Sequence, residues 1–226
     1  MSALLLLADS QLLFRPEQLP QLLQRARPRS AAYIGAANGH QPEFFELAQA
    51  ALATLYGTLY GQPVPCHFIR NQHELPAQPS DLVIMAGGSV TAGWEFLQQP
   101  WLQRWLNACR AEADAVFIGV SAGAIHLASG CDPERPSPRA QTYLGWAPLF
   151  IAAHEETQQW PSRQCWQTAR QAPDSTGQDF TRLAFAGLPM GAGLWWEAGI
   201  GQSMGKPGLQ WDGVGIFPPP QQPDQQ

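Results

Sequence analysis

Short apolar runs that never alternate with polar residues punctuate the first half of the chain: Ala3 to Leu7, Ala31 to Gly35, Leu82 to Ala86 and Ala115 to Gly119. A strand with one wet face alternates, whereas a strand buried on both faces reads as an unbroken apolar run. Such strands belong to parallel sheets covered by helices on either side. The segments between them carry helical spacing. Gln18 to Arg27, Glu43 to Tyr60 and Pro100 to Glu112 are the expected helices, and in the second Phe44, Leu47, Ala48, Ala51 and Leu55 recur at steps of three and four. Pro42 suits its first turn, where the missing N–H costs nothing and the fixed φ is already helical. Cys66 to Ile69 is a weaker strand signal. Alternating strands and helices require right-handed crossovers, and ligands then bind beyond the carboxyl ends of the strands.

The second half reads differently. Gly130 to Gln141, with its Cys-Asp-Pro-Glu-Arg-Pro-Ser-Pro-Arg, is an expected loop. Strand-like pieces follow at Leu149 to Ala153, Leu183 to Gly187, Gly193 to Trp196 and Val214 to Phe217. They suggest a return to the sheet or a small antiparallel extension, not a second domain. The expectation is one α/β domain over 1–217, three-layered and mostly parallel, with a disordered Pro/Gln-rich tail over 218–226.

Composition narrows the function classes. At 45% hydrophobic and 14% charged residues, the 226-residue chain has enough apolar material for a substantial core. The net charge is −5 and the 13 Lys and Arg form no basic run, which argues against nucleic acid as a partner. Met1 to Leu7 lacks the basic residues and length of a secretory signal, and no run approaches the ~20 residues of a membrane span. The four cysteines (Cys66, Cys109, Cys131, Cys165) form no C-x-x-C pair. Reduced structural thiols in a cytoplasmic protein are expected, with no metal or organic cofactor. The expected oligomeric state is a monomer or homodimer.

Chemistry concentrates in Val116-Phe-Ile-Gly-Val-Ser-Ala-Gly-Ala-Ile125. An apolar strand runs into Gly119-x-Ser121-x-Gly123 and then into a helical stretch. A nucleophile on a tight strand-to-helix turn needs small residues two positions either side, because the backbone folds back on itself. The turn lifts the Ser121 hydroxyl above the sheet and aims the Ala122 amide at a developing oxyanion. Leu82-Val-Ile-Met-Ala-Gly-Gly-Ser89 is a second strand ending in glycines, and Gly88 is the expected second donor. Of the five histidines, His126 shares the Ser121 helix and points away from the elbow. His67 and His73 lack companions, and His40 sits in a loop. His154 follows Phe150-Ile-Ala-Ala at a strand's carboxyl end, so it is the expected base. An α/β-hydrolase places its histidine after an acid, late in the chain; here nothing after His154 is a histidine.

The sequence here resembles the peptidase E and cyanophycinase family, whose fold is that of the class I glutamine amidotransferases. The likeness runs from Ala3 to about Glu197. Ile84-Met-Ala-Gly-Gly-Ser89 is similar to the family's Gly-Gly-Asn/Asp segment, and Gly119-Val-Ser-Ala-Gly-Ala124 to its elbow. Ile151-Ala-Ala-His154 is similar to its Asn-Pro-His, and Gly187-Leu-Pro-Met-Gly191 to its Leu-Pro-Glu-Gly. The resemblance implies a serine dipeptidase or exopeptidase acting on a small peptide or amide, typically an acidic peptide such as Asp-X or a cyanophycin product. The chain departs from the pattern at Ser89, at Ala152-Ala153, and at Met190, which stands where the family has the glutamate proposed to orient the histidine. A thioether is a poor substitute acceptor. Glu156 is the first candidate for a replacement acid, because residues two apart share a face in an extended segment and the related amidotransferases use His-x-Glu. Asp132 and Glu197 follow. The alternative is a catalytically impaired member that retains a binding pocket.

Overall fold

All five apolar runs of the N-terminal half are strands: Ala3–Leu7 (β1), Ala31–Ile34 (β2), Cys66–Ile69 (β3), Leu82–Met85 (β4) and Val116–Val120 (β5). They pair in parallel in the order β1-β5-β4-β2-β3. The computed structural model describes residues 2–19, 28–60, 63–135, 139–171 and 178–206. Most of the expected Gln18 to Arg27 helix, the Val214 to Phe217 strand and the 218–226 tail lie outside these residues.

Every residue of β1, β2 and β4 is buried. Successive side chains still go to opposite faces, and the two faces meet different helices. Leu5, Leu7, Tyr33, Ile84 and Ile118 pack with Ala48, Ala51, Leu52 and Leu55 of the helix Pro42–Tyr60 (α1). Leu4, Leu6, Ile34, Val83 and Phe117 pack on the other side. There they meet Val90–Leu97 (α2), Pro100–Ala111 (α3) and Ala122–Leu127 (α4). Each fully buried Leu or Ile contributes ~1.5–3 kcal/mol, so two-sided coverage explains the unbroken apolar runs. Helix α2 escapes the periodicity reading because it is short and contains Gly93. That glycine is required: a Cβ there would lie 2.4 Å from His126 Cε1. Ser89 caps α2, its hydroxyl accepting from the Ala92 N–H at 3.3 Å.

The second half builds two things rather than one. Ser129–Gly130 (β6), Gln141–Thr142 (β7), Leu149–Ala153 (β8) and Ala184–Leu188 (β9) form a separate four-stranded sheet, ordered β7-β6-β8-β9. Its β6–β8 and β8–β9 pairs are parallel. The expected loop from Gly130 to Gln141 thus begins and ends in strand residues of this sheet. Leu149, Ile151, Ala186 and Leu188 face the main core, while Phe150, Ala152 and Phe185 face Trp166 of the helix Pro161–Gln171 (α5). Ala192–Glu197 (β10) and Ile200–Gly205 (β11) return to the large sheet, adding antiparallel to β1 and completing its order β11-β10-β1-β5-β4-β2-β3. The result is a three-layer, mostly parallel α/β fold. Among the described residues, no helix is long and apolar enough to cross a membrane.

Candidate active site

Ser121 joins β5 to α4 with φ 50° and ψ −110°, outside the regions that L-residues ordinarily occupy. Such strain costs ~1–3 kcal/mol and persists only where the surroundings enforce it. Here they do. The Ser121 N–H donates to the Leu7 carbonyl at 2.8 Å, and the Ser121 carbonyl accepts from Ala124 N–H at 2.9 Å and Ile125 N–H at 3.2 Å. A Cβ on Gly119 would lie 2.5 Å from the Gly123 carbonyl oxygen, and one on Gly123 would lie 2.2 Å from that of Met85. Both small residues of Gly-x-Ser-x-Gly are therefore dictated by backbone contact.

His154 comes from the other sheet, one residue past β8. Its N–H donates to the Leu188 carbonyl at 2.7 Å and its φ is 46°. The ring reaches across so that Nε2 lies 2.7 Å from Ser121 Oγ, within hydrogen-bond reach. Two sheets thus supply the serine and the histidine, and they meet because β8 packs on α4 within one continuous core.

Gly88 stands opposite with φ 130°, where a Cβ would lie 2.2 Å from the Ala37 carbonyl oxygen. The next N–H, that of Ser89, donates to that same carbonyl at 2.8 Å. Among the described residues, the N–H groups of Gly88 and Ala122 donate no hydrogen bond. Ser121, His154, Gly87, Gly88 and Met190 border one cleft of about 480 Å³, together with Asp9, Asn38 and a set of apolar side chains.

The carboxylates correct the expectations. The segment from His154 to Glu156 is not extended, because His154 has positive φ and Glu156 opens a 3-10 turn over Glu156–Gln158. No hydrogen bond joins Glu156 to the His154 ring. Glu156 Oε1 instead accepts the Met190 N–H at 3.0 Å, and its Oε2 is buried without a partner. Glu155 is buried and accepts from the Ser162 N–H at 3.0 Å and from the Ser162 hydroxyl. Asp132 is buried and committed to the Thr91 hydroxyl, the Glu134 N–H and, at 3.6 Å, Arg135. Glu197 follows Trp196, which pairs with Leu4, so it lies at the amino end of β1 while Ser121 lies beyond the carboxyl end of β5. Among the described residues, no carboxylate hydrogen-bonds the far side of the His154 ring.

Asp9 is a cleft residue that sequence reasoning missed. Its carboxylate accepts the Gln11 N–H at 2.7 Å and the Gly191 N–H at 2.5 Å. Asp9 and Glu156 thus hold consecutive amides of the Met190-Gly191 turn. Its place just after the first strand was the available signal. The other histidines lie elsewhere. His126 is buried, Nε2–H donates to the Val90 carbonyl at 2.8 Å, and burial pushes its pKa down to about 4. His40 packs its ring against Phe96 and Phe68, and burial lowers its pKa too. His67 and His73 are exposed. None of the four cysteines is in a disulfide, and burial raises the thiols of Cys66 and Cys109 to about 12. Among the described residues, no group of three or more His, Cys, Asp or Glu is placed to hold a metal ion.

No protein-family model matches the sequence, and no curated protein matches it. In fold the chain is similar to the crystal structure of a peptidase from an acI-B1 Actinobacterium, with a TM-score of 0.63 and 13% identity. The match covers 92% of this chain and 88% of that one. At that identity the likeness speaks for the shared three-layer α/β fold.

Proposed function

We propose that the chain is a serine hydrolase that cleaves a small peptide or amide bond through an acyl-enzyme. The observation that carries this reading is the 2.7 Å contact between Ser121 Oγ and His154 Nε2 on a strained strand-to-helix turn. His154 Nε2 takes the hydroxyl proton as Oγ attacks the substrate carbonyl carbon. The carbonyl oxygen becomes an oxyanion between the Gly88 and Ala122 N–H groups. Collapse of the tetrahedral adduct expels the amine, which leaves with the proton from His154. Water then attacks the acyl carbon as His154 takes its proton; the second adduct collapses by breaking the bond to Ser121 Oγ, which regains the proton from His154 as the acid leaves. Glu156 remains our choice for the orienting acid, since it follows His154 by two residues and its buried Oε2 accepts no hydrogen bond.

The runner-up is a binding protein that has lost the catalytic step. It is favoured by Met190 at the cleft and by the lack of a carboxylate on the His154 ring. Labelling with a fluorophosphonate separates the two. A working serine–histidine pair becomes covalently modified at Ser121, as read by peptide mass spectrometry. An unmodified Ser121 at reagent concentrations that label known serine hydrolases rejects the enzyme reading.

A further inference from the structure

We infer that the cleft beside Ser121 takes an uncharged, apolar acyl group and disfavours one that carries a carboxylate. The inference deepens the serine-hydrolase reading and rests on it for where the scissile carbonyl sits.

Five large apolar side chains are exposed among the described residues: Phe14, Phe44, Leu47, Met190 and Ile200. Singly scattered, such residues need no explanation. Here four of the five, all except Ile200, line this cleft. The apolar stripe of α1 shows how they come to be there. Ala48 and Ala51 are buried in the core, but one turn earlier Phe44 and Leu47 run past it, 46% and 51% exposed. Leu13, Tyr33 and Ile84 are buried and border the same space. The cleft's size lies within the range of small-molecule pockets.

Charge points the same way. Among the described residues that line the cleft there is no Lys or Arg, and besides His154 the ionisable side chains are Asp9 and Tyr33. Burial raises the Tyr33 hydroxyl above its usual pKa, so it stays neutral. A substrate carboxylate entering this space would lose water, gain no cation and face Asp9. The acidic-peptide preference implied by the family resemblance needs a positive group that this lining does not supply. An aliphatic or aromatic acyl group would instead cover side chains that now face water. Each methylene buried adds roughly fourfold, so two add about fifteenfold.

Binding and turnover are measured separately. In the Ser121→Ala protein, which forms no acyl-enzyme, hexanamide and the monoamide of adipic acid are titrated by ligand-observed NMR. Hexanamide should bind at least about tenfold more tightly; equal affinity, or tighter binding of the acid, overturns the inference. In the unmodified protein, 4-nitrophenyl butyrate should exceed both the acetate and the hemisuccinate ester in kcat/KM by about tenfold or more, after correction for spontaneous hydrolysis. Selective binding of hexanamide with no cleavage of any ester would reject the hydrolase reading and leave the apolar pocket standing. Leu47→Arg supplies the missing cation at a half-exposed position and should shift the hexanamide-to-acid affinity ratio toward the acid. An unchanged ratio would place the ligand elsewhere and overturn the inference.

Discussion

Ser121 leaves the large sheet through a turn whose flanking glycines touch backbone on every side, with three backbone hydrogen bonds enforcing a strained φ. His154 leaves the small sheet on one backbone hydrogen bond to Leu188, with its side chain exposed and no carboxylate behind it. Ser121 is over-determined by backbone packed tightly around its turn, from Leu7 and Met85 as well as from the turn itself. His154 is positioned by a strand of the other sheet and by the packing of one layer on another. A site assembled this way has one member that tolerates almost no change and one whose surroundings can vary. It is on the variable side that Met190 and Glu156 are found.

The largest test of the rigid side is chemical. Ser121→Ala should lower hydrolysis by about 10⁴-fold or more while the unfolding midpoint stays put, since only a hydroxyl is lost. Turnover near the unmodified rate in the purified variant would remove the serine from the mechanism. Next in size is a stability contrast between the two sides. Gly123→Ala forces a Cβ to 2.2 Å from the Met85 carbonyl and should cost several kcal/mol in urea unfolding. Gly191→Ala would meet nothing nearer than 3.7 Å, an ordinary contact, and is opposed only by its φ of 79°, so about 1 kcal/mol is expected. Similar losses at both positions would erase the distinction.

Acid should also act first on the rigid side. His126, on the elbow helix, has its pKa depressed by burial to about 4 from 6.5. The unfolded chain takes up that proton as pH falls through 6.5, while the folded chain resists until about 4. Stability is therefore full above that window and declines through it, by about 3 kcal/mol in all. His126→Gln should flatten the slope of unfolding free energy between pH 7 and 4; an unchanged slope would assign the acid sensitivity elsewhere. The smallest effects belong to the neighbours of His154. Glu155→Gln disturbs a buried carboxylate bound to Ser162 and should cost ~1–3 kcal/mol of stability. Glu156→Gln should leave stability nearly unchanged and lower kcat, and the reverse pattern would exchange the two roles.

Much of this contrast was legible before any coordinates. Four of the five parallel strands follow from runs that both faces bury, whereas β3 gave the weaker signal because it is an edge strand whose His67 is exposed. The elbow was legible because the Gly-x-Ser-x-Gly spacing reports the local contact of Gly119 with Gly123, although the Met85 carbonyl that also excludes a Cβ at Gly123 is remote in sequence. His154 was legible from its place after an apolar run. The second sheet was not, because a strand of a small sheet and a strand returning to a large one present the same four or five apolar residues. The extended conformation expected from His154 to Glu156 was misread for a related reason. Two-residue periodicity holds only while the chain stays extended, and nothing in His-Glu-Glu announces the positive φ at His154. Asp9 was missed because its partners, Gln11 and Gly191, are backbone amides that a sequence does not display.

All six residues of α4 are buried between the two sheets, with β5 on one side and β8 on the other. The helix therefore acts as the spacer that sets how far apart the two sheets stand, and with them the hydroxyl and the imidazole. Proton transfer is sensitive to a fraction of an ångström, while a sandwich of layers can loosen by more than that and remain folded. Chemistry in this architecture is a gauge of interlayer spacing. A side chain in α4 that never meets substrate, such as Ile125 or Leu127, sets the reading as surely as one that does.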